Sequence, residues 1–153
     1  MIYKILPIVL PIVSILIALC VAFFVLKRIK NKTNAEFNIS SVEQSGSSVP
    51  IAASFVGLKW LPSLIALAHN SINPSLTLFD DHIEYGKSMS TYENIESVNI
   101  FEWRATENIM LSFKNTSWTY SANLMKSDNL IQLLKFFGDK DVLLSEKAKL
   151  ALI

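Results

Sequence analysis

The sequence predicts an α+β protein: an N-terminal transmembrane helix, then a small antiparallel β-meander forming a partly closed barrel, capped by a C-terminal amphipathic helix. Three observations predict it. Ile5 to Leu26 is an uncharged apolar run of about 22 residues, followed at once by Lys27-Arg28-Ile29-Lys30-Asn31-Lys32. From Leu76 to Asn123 apolar residues recur mainly at every second position, the period of half-buried strands. From Asp128 to Gly138 they follow the helical period instead, giving one apolar face.

The first element is the anchor. At 1.5 Å rise per residue, about 22 residues span a hydrocarbon core of about 30 Å. Lys4 and the terminal amine precede the run, whereas Lys27, Arg28, Lys30 and Lys32 form a basic flank directly behind it. The positive-inside rule therefore expects a single-pass inner-membrane protein, N-out, with everything after residue 26 cytoplasmic. A signal peptide carries its charges first and ends at a small-x-small site, the reverse of this order, so the anchor is read as retained. Ile17-Ala18-Leu19-Cys20 departs from a bacterial lipoprotein box at the large Leu19, and apolar residues continue to Leu26. Cys20 is the only cysteine, which excludes an intramolecular disulfide and a zinc site of the clustered-cysteine type.

A length of 153 residues accommodates the anchor and one small domain. Residues 1–70 hold six Lys/Arg against two Glu, net +4, and residues 71–153 hold eight against eleven Asp/Glu, net −3. A mildly acidic domain argues against nucleic acid as a partner. The expected organisation is an anchor with its basic flank at 1–32, a flexible linker at 33–50, an apolar segment at 51–73 and a β domain with a C-terminal helix at 74–153. The linker is read from its Ser, Asn and Gly content and its lack of apolar period. For residues 51–69, strongly apolar yet carrying Lys59 and Pro62, three readings stand. They are a helix packed on the domain or lying in the membrane interface, a second span that would turn the domain outward, and an irregular loop. Trp60 beside Lys59 suits an interfacial position and a packed one equally.

After Asn73-Pro74, Leu76 and Leu78 flank Thr77, and Ile83 and Tyr85 flank Glu84; Tyr85-Gly86-Lys87 reads as a turn. Ser88 to Thr91 is a short polar strand. Ile95 to Trp103 is a longer one, with Val98 and Ile100 on one face and Phe101 and Trp103 on the other. Ala105 to Asn108 is expected to turn, Ile109, Leu111 and Phe113 to mark the next strand, Asn115-Thr116-Ser117 to turn again, and Trp118, Tyr120 and Ala122 to mark the last. Ser127 or Asp128 can cap the closing helix, Leu130, Ile131, Leu134 and Phe137 are its expected buried stripe, and Gly138 is its expected left-handed stop. Ser145-Glu146-Lys147 is expected to open a shorter second helix.

Leu-Thr-Leu-Phe-Asp-Asp-His-Ile-Glu-Tyr-Gly at 76–86, Tyr-Glu-Asn-Ile-Glu-Ser-Val-Asn-Ile at 92–100 and Asn-Leu-Ile-Gln-Leu-Leu-Lys-Phe-Phe-Gly at 129–138 together resemble the bacterial pleckstrin-homology-like domains of small membrane-anchored proteins. The resemblance spans about residues 74–145. It implies a strand-rich domain of seven strands and a C-terminal helix, of which five or six strands are countable here. Phosphoinositide-binding members gather Lys and Arg around their first hairpin. Here that place holds Asp80, Asp81, His82 and Glu84 with a lone Lys87, so a phosphoinositide is not the expected ligand.

No stretch carries a recognisable reaction centre. His69 and His82 lack the spacing of a metal motif, and the four glycines form no phosphate-binding loop. Asp80-Asp81 reads as a turn. No catalytic residue, metal site or cofactor is therefore expected, and the chain is read as a non-enzymatic adaptor. It would hold its domain at the cytoplasmic face to bind a membrane protein or a peptide. Lys59, Trp60, Trp103, Arg104, Trp118 and Tyr120 are the candidate partner or interfacial contacts, although aromatics on alternating strands serve the core first. The alternative is a lipid-contacting module that uses residues 27–32 and 51–69 against the bilayer.

Overall fold

The structure, a computed structural model, describes residues 13–24, 27, 37, 39, 42, 46–61, 67–70, 73–103, 106–124 and 126–153. The chain divides into two compact units, Met1–Ala35 and Glu36–Ile153. In the first unit residues 13–24 are helical, with exposed side chains that include Cys20. No helix among the described residues is long and apolar enough to cross a membrane. The expected transmembrane helix is corrected on that finding, and with it the single-pass, N-out, inner-membrane placement. Residues 5–12, 25 and 26 of the apolar run lie outside the described residues.

Among the described residues the second unit holds nine strands in two antiparallel sheets. The first sheet has the order β1-β4-β5-β6, from β1 (Ser47–Ser48), β4 (Leu76–Leu78), β5 (His82–Tyr85) and β6 (Ser88–Thr91). The second has the order β3-β2-β9-β8-β7, from β2 (Ile51–Leu58), β3 (Ala68–Asn70), β7 (Ile95–Trp103), β8 (Thr106–Phe113) and β9 (Trp118–Leu124). No strand pairing joins the two sheets among the described residues, so the expected partly closed barrel is corrected to two separate sheets. They are continuous along the chain in two places. β1 runs into β2 through Val49-Pro50, where the proline has no N–H to continue a ladder and the strand changes sheet. β6 runs into β7 through a single 3-10 turn, Tyr92–Asn94.

The helix expected within 51–69 is replaced by β2, β3 and the turn at Lys59-Trp60. The reason is position in the sheet. β2 pairs with β9 from Ile51 to Leu58 and with β3 from Ser54 to Val56, so both its edges are bonded and both its faces are partly covered. Such a strand reads as a continuous apolar run with no alternation. Residues 62–66 lie outside the described residues. The expected linker at 33–50 also changes character, because Phe37, Val42 and Val49 are core residues and Ser47 and Ser48 form β1.

Leu76, Leu78 and Ile83 face Val98, Ile109, Leu111, Tyr120 and Ala122 across the core. Helix α1 (Ser127–Asp139) adds Leu130, Leu133, Leu134, Phe136 and Phe137. Leu133 replaces the expected Ile131, which is partly exposed. The helix ends in a Schellman arrangement: Val142 N–H donates to the Phe137 carbonyl at 3.0 Å and Asp141 N–H to the Gly138 carbonyl at 3.0 Å. Asp141, at φ 58°, takes the left-handed position expected of Gly138. A short helix α2 (Glu146–Leu150) is capped by Ser145, whose Oγ accepts from the Ala148 N–H at 3.2 Å. Val98 exchanges main-chain bonds with Leu143 and Ser145 at 2.8 and 2.9 Å, which docks the chain after α1 on the outer edge of β7 at that residue.

Candidate functional site

A cleft of about 740 Å³ opens between the two sheets, and none of its lining residues comes from α1 or α2. Its floor is aromatic. Tyr85, the last residue of β5, stacks on Phe113 at 4.8 Å and 14° and meets Tyr120 at 5.1 Å. The two-period pattern places these rings: Tyr85 shares the inward face of β5 with Ile83, and Phe113 that of β8 with Leu111 and Ile109. Ser75 ties the sheets together beneath them. Its carbonyl accepts from the Tyr120 hydroxyl at 2.7 Å and from the Gly86 N–H at 3.1 Å.

The walls are strands and the rim is turns. Ser54 and Val56 of β2 with Ala68, His69 and Asn70 of β3 form one wall, and Ser88, Met89 and Ser90 of β6 the other. These two walls end on β3 and β6, each the outermost strand of its sheet. Among the described residues neither has a strand paired to its outer side, so each presents one row of main-chain donors and acceptors. Two hairpin turns close the rim. Gly86, at φ 61°, occupies the first central position of the β5–β6 turn ahead of Lys87, the arrangement that matches strand twist. Asn115, at φ 58°, shapes the β8–β9 turn beside Lys114. Trp118 is 52% exposed and Met89 72% exposed, so the cleft offers apolar surface to solvent at both sides.

The electrostatics are one-sided. Among the described residues no Asp or Glu lines the cleft, and its charged lining residues there are Lys87 and Lys114. Burial pushes the Tyr120 hydroxyl up to about 12, against a bond from the Ser54 side chain that acts the other way. Burial also raises Tyr85. Both phenols are neutral near pH 7, where they offer rings and hydroxyl hydrogen bonds and no nucleophilic oxygen.

The sequence-selected residues divide between this cleft and other places. Trp118 lines its side, and Tyr120 is part of its floor, 3% exposed. Lys59 lies in the turn after β2, where it pairs with Glu96 and donates to the Phe113 carbonyl at 2.6 Å. Trp60, in the same turn, is exposed and outside the cleft lining. Trp103 ends β7, in register with Thr106. Lys27 is helical and exposed in the first unit, and Arg28, Lys30, Lys32 and Arg104 lie outside the described residues. Tyr85, Lys87, Met89, Phe113 and Lys114 are the cleft residues that the sequence reading missed. A lysine at the tip of each of two hairpins was the available signal.

Away from the cleft, Asp80 and Asp81 occupy the bend between β4 and β5. Asp80 pairs with Lys140 at 2.6 Å and Asp81 with His82 Nδ1 at 2.6 Å, while His82 stacks on Phe79 at 4.4 Å. The His82 bond holds the Asp81 carboxyl below its ordinary range. Among the described residues no group of three or more His, Cys, Asp and Glu converges as a metal site would require. No family model matches the chain, and no curated protein matches it in sequence.

Proposed function

We propose that the Glu36–Ile153 unit is a non-enzymatic binding module that accepts an extended polypeptide segment in the cleft between its two sheets. The observation that carries this reading is that β3 and β6, outermost strands with no strand paired to their outer side among the described residues, both line one apolar-floored cleft. A strand edge binds an extended chain through its main-chain groups, and side-chain pockets alongside supply selectivity. The floor of Tyr85, Phe113 and Tyr120 and the flanking Trp118 and Met89 are surface that an apolar side chain of such a segment would cover. Aromatic side chains of this kind dominate recognition energy when a partner desolvates them. The pleckstrin-homology-like reading is kept as part of this proposal, supported by antiparallel strands followed by a packed C-terminal helix.

The test separates main-chain pairing from simple apolar adsorption. A fluorescein-labelled peptide of about eight residues, the length of an ordinary strand, alternates Thr and Val and is titrated into the full chain. Fluorescence anisotropy is expected to show saturable binding. The same peptide N-methylated at alternate residues, which removes donors and keeps the side chains, is expected to bind at least about tenfold more weakly. Equal binding of the two peptides contradicts strand addition.

A further inference from the structure

We propose that the cleft selects an acidic segment, one that alternates apolar residues with carboxylates. This rests on the reading of the cleft as a strand-accepting site and names the chemistry of its occupant. Residues 36–153 hold nine Lys/Arg against thirteen Asp/Glu, net −4, so a surface cleft in this unit would be expected to include acids. Among the described residues this one includes none and is rimmed by Lys87 and Lys114. Both lysines are exposed, and neither forms an ion pair among the described residues. Lys59, Lys140 and Lys149 are engaged by Glu96, Asp80 and Glu146, while Lys126, Lys135 and Lys147, which also form no ion pair among the described residues, lie outside the cleft lining.

The two ammonium groups belong to different hairpins, one from each sheet, and both line the cleft, close in sequence to the stacked rings of Tyr85 and Phe113. At physiological salt a charge is felt over about 8 Å. The local pair of lysines therefore governs the partner's sign more than the net charge of the unit does. A carboxylate that meets Lys87 or Lys114 makes a charge-assisted hydrogen bond, and a lysine there meets repulsion with no nearby acid to relieve it. Apolar residues at alternate positions would then lie toward Tyr85, Met89 and Trp118. The occupant that fits is an extended acidic polypeptide.

Three fluorescein-labelled peptides of about eight residues, alternating Val with Glu, Thr or Lys, test this against the full chain by anisotropy. The Glu peptide is expected to bind at least about tenfold tighter than the Lys peptide, with the Thr peptide between them. That preference is expected to collapse at about 1 M salt, where the screening length falls to about 3 Å. The double variant Lys87→Glu/Lys114→Glu is expected to reverse the order. Lys87→Gln/Lys114→Gln, which removes charge without adding acids, is expected to abolish the order while leaving the Thr peptide bound, and it serves if the reversed variant fails to fold. Glu and Lys peptides of equal affinity, or a preference that survives in the Gln variant, overturn the acidic selection and leave the strand-accepting reading standing. No binding by any peptide up to about 1 mM overturns both. Binding of phosphatidylserine vesicles, reduced in the Gln variant and with no peptide binding, also overturns the proposal, in favour of a lipid surface.

Discussion

Tyr120 links stability, the cleft floor and pH through one hydroxyl. Its pKa is raised to about 12 by burial, so folding favours the neutral phenol over the phenolate. That contribution is present in full below the ordinary tyrosine value near 10 and is lost as pH rises from about 10 to about 12, a span corresponding to about 3 kcal/mol. Tyr120→Phe is expected to cost about 1 kcal/mol at pH 7, from the lost bond to the Ser75 carbonyl. It is also expected to flatten the alkaline loss, which urea unfolding at a series of pH values would measure. A variant whose alkaline loss matches that of the unaltered chain would show that Tyr120 is not its source.

Two glycines make a matched pair at the same scale. Gly46, at φ 77°, has Phe79 Cε1 2.6 Å from where a Cβ would stand, whereas Gly86, at φ 61°, has nothing within 4 Å. Gly86→Ala therefore carries only the conformational penalty, about 1 kcal/mol. Gly46→Ala adds a displaced aromatic ring and is expected to cost about 2–3 kcal/mol. Thermal unfolding of both variants would check the order, and equal losses would contradict the contact with Phe79.

At the scale of elements, α1 holds the interior of the unit through fully buried Leu133 and Phe137. Phe137→Ala is expected to cost about 3–5 kcal/mol and Ile131→Ala, on the partly exposed face, less than about 1 kcal/mol. Denaturant midpoints would separate them. The elements also show what a sequence makes readable. β4, β5 and β7 lie where alternation predicts them, because each has inward-facing apolar residues, and β6, which has no buried residue, lies where the turn at Gly86-Lys87 predicts it. β2 was misread because, as an interior strand between β3 and β9, it is apolar without alternation. Phe37, Val42 and Val49 were misread for the opposite reason: each is a single apolar residue in polar surroundings, and only tertiary packing makes it core. The N-terminal run was read from length and hydropathy as a span, and among the described residues no helix meets that length. Thr106 to Asn108, expected to turn, instead extend β8, with Asn108 buried and its amide bonded to the Thr106 carbonyl at 2.9 Å.

For the whole molecule, the cleft was the least legible feature, since its lining comes from β2, β3, β5, β6, β8, β9 and the turns between them, which are distant in sequence. Trp118 and Tyr120 could be selected as aromatics on a strand. Their convergence with Tyr85 and Phe113, and the choice of Lys87 and Lys114 over other lysines, depends on how the two sheets face one another. The outermost strands of the two sheets are β1, β3, β6 and β7; of these β7 is bonded at Val98 to Leu143 and Ser145, and β3 and β6 line the cleft. The central claim concerns these edges, and amide hydrogen exchange of the full chain with and without the alternating Glu-Val peptide tests it most directly. Added peptide is expected to slow exchange at least about tenfold at main-chain amides within Ala68–Asn70 or Ser88–Thr91, where a new ladder would form. Saturable binding that leaves both strands exchanging at their original rates would contradict strand addition in this cleft.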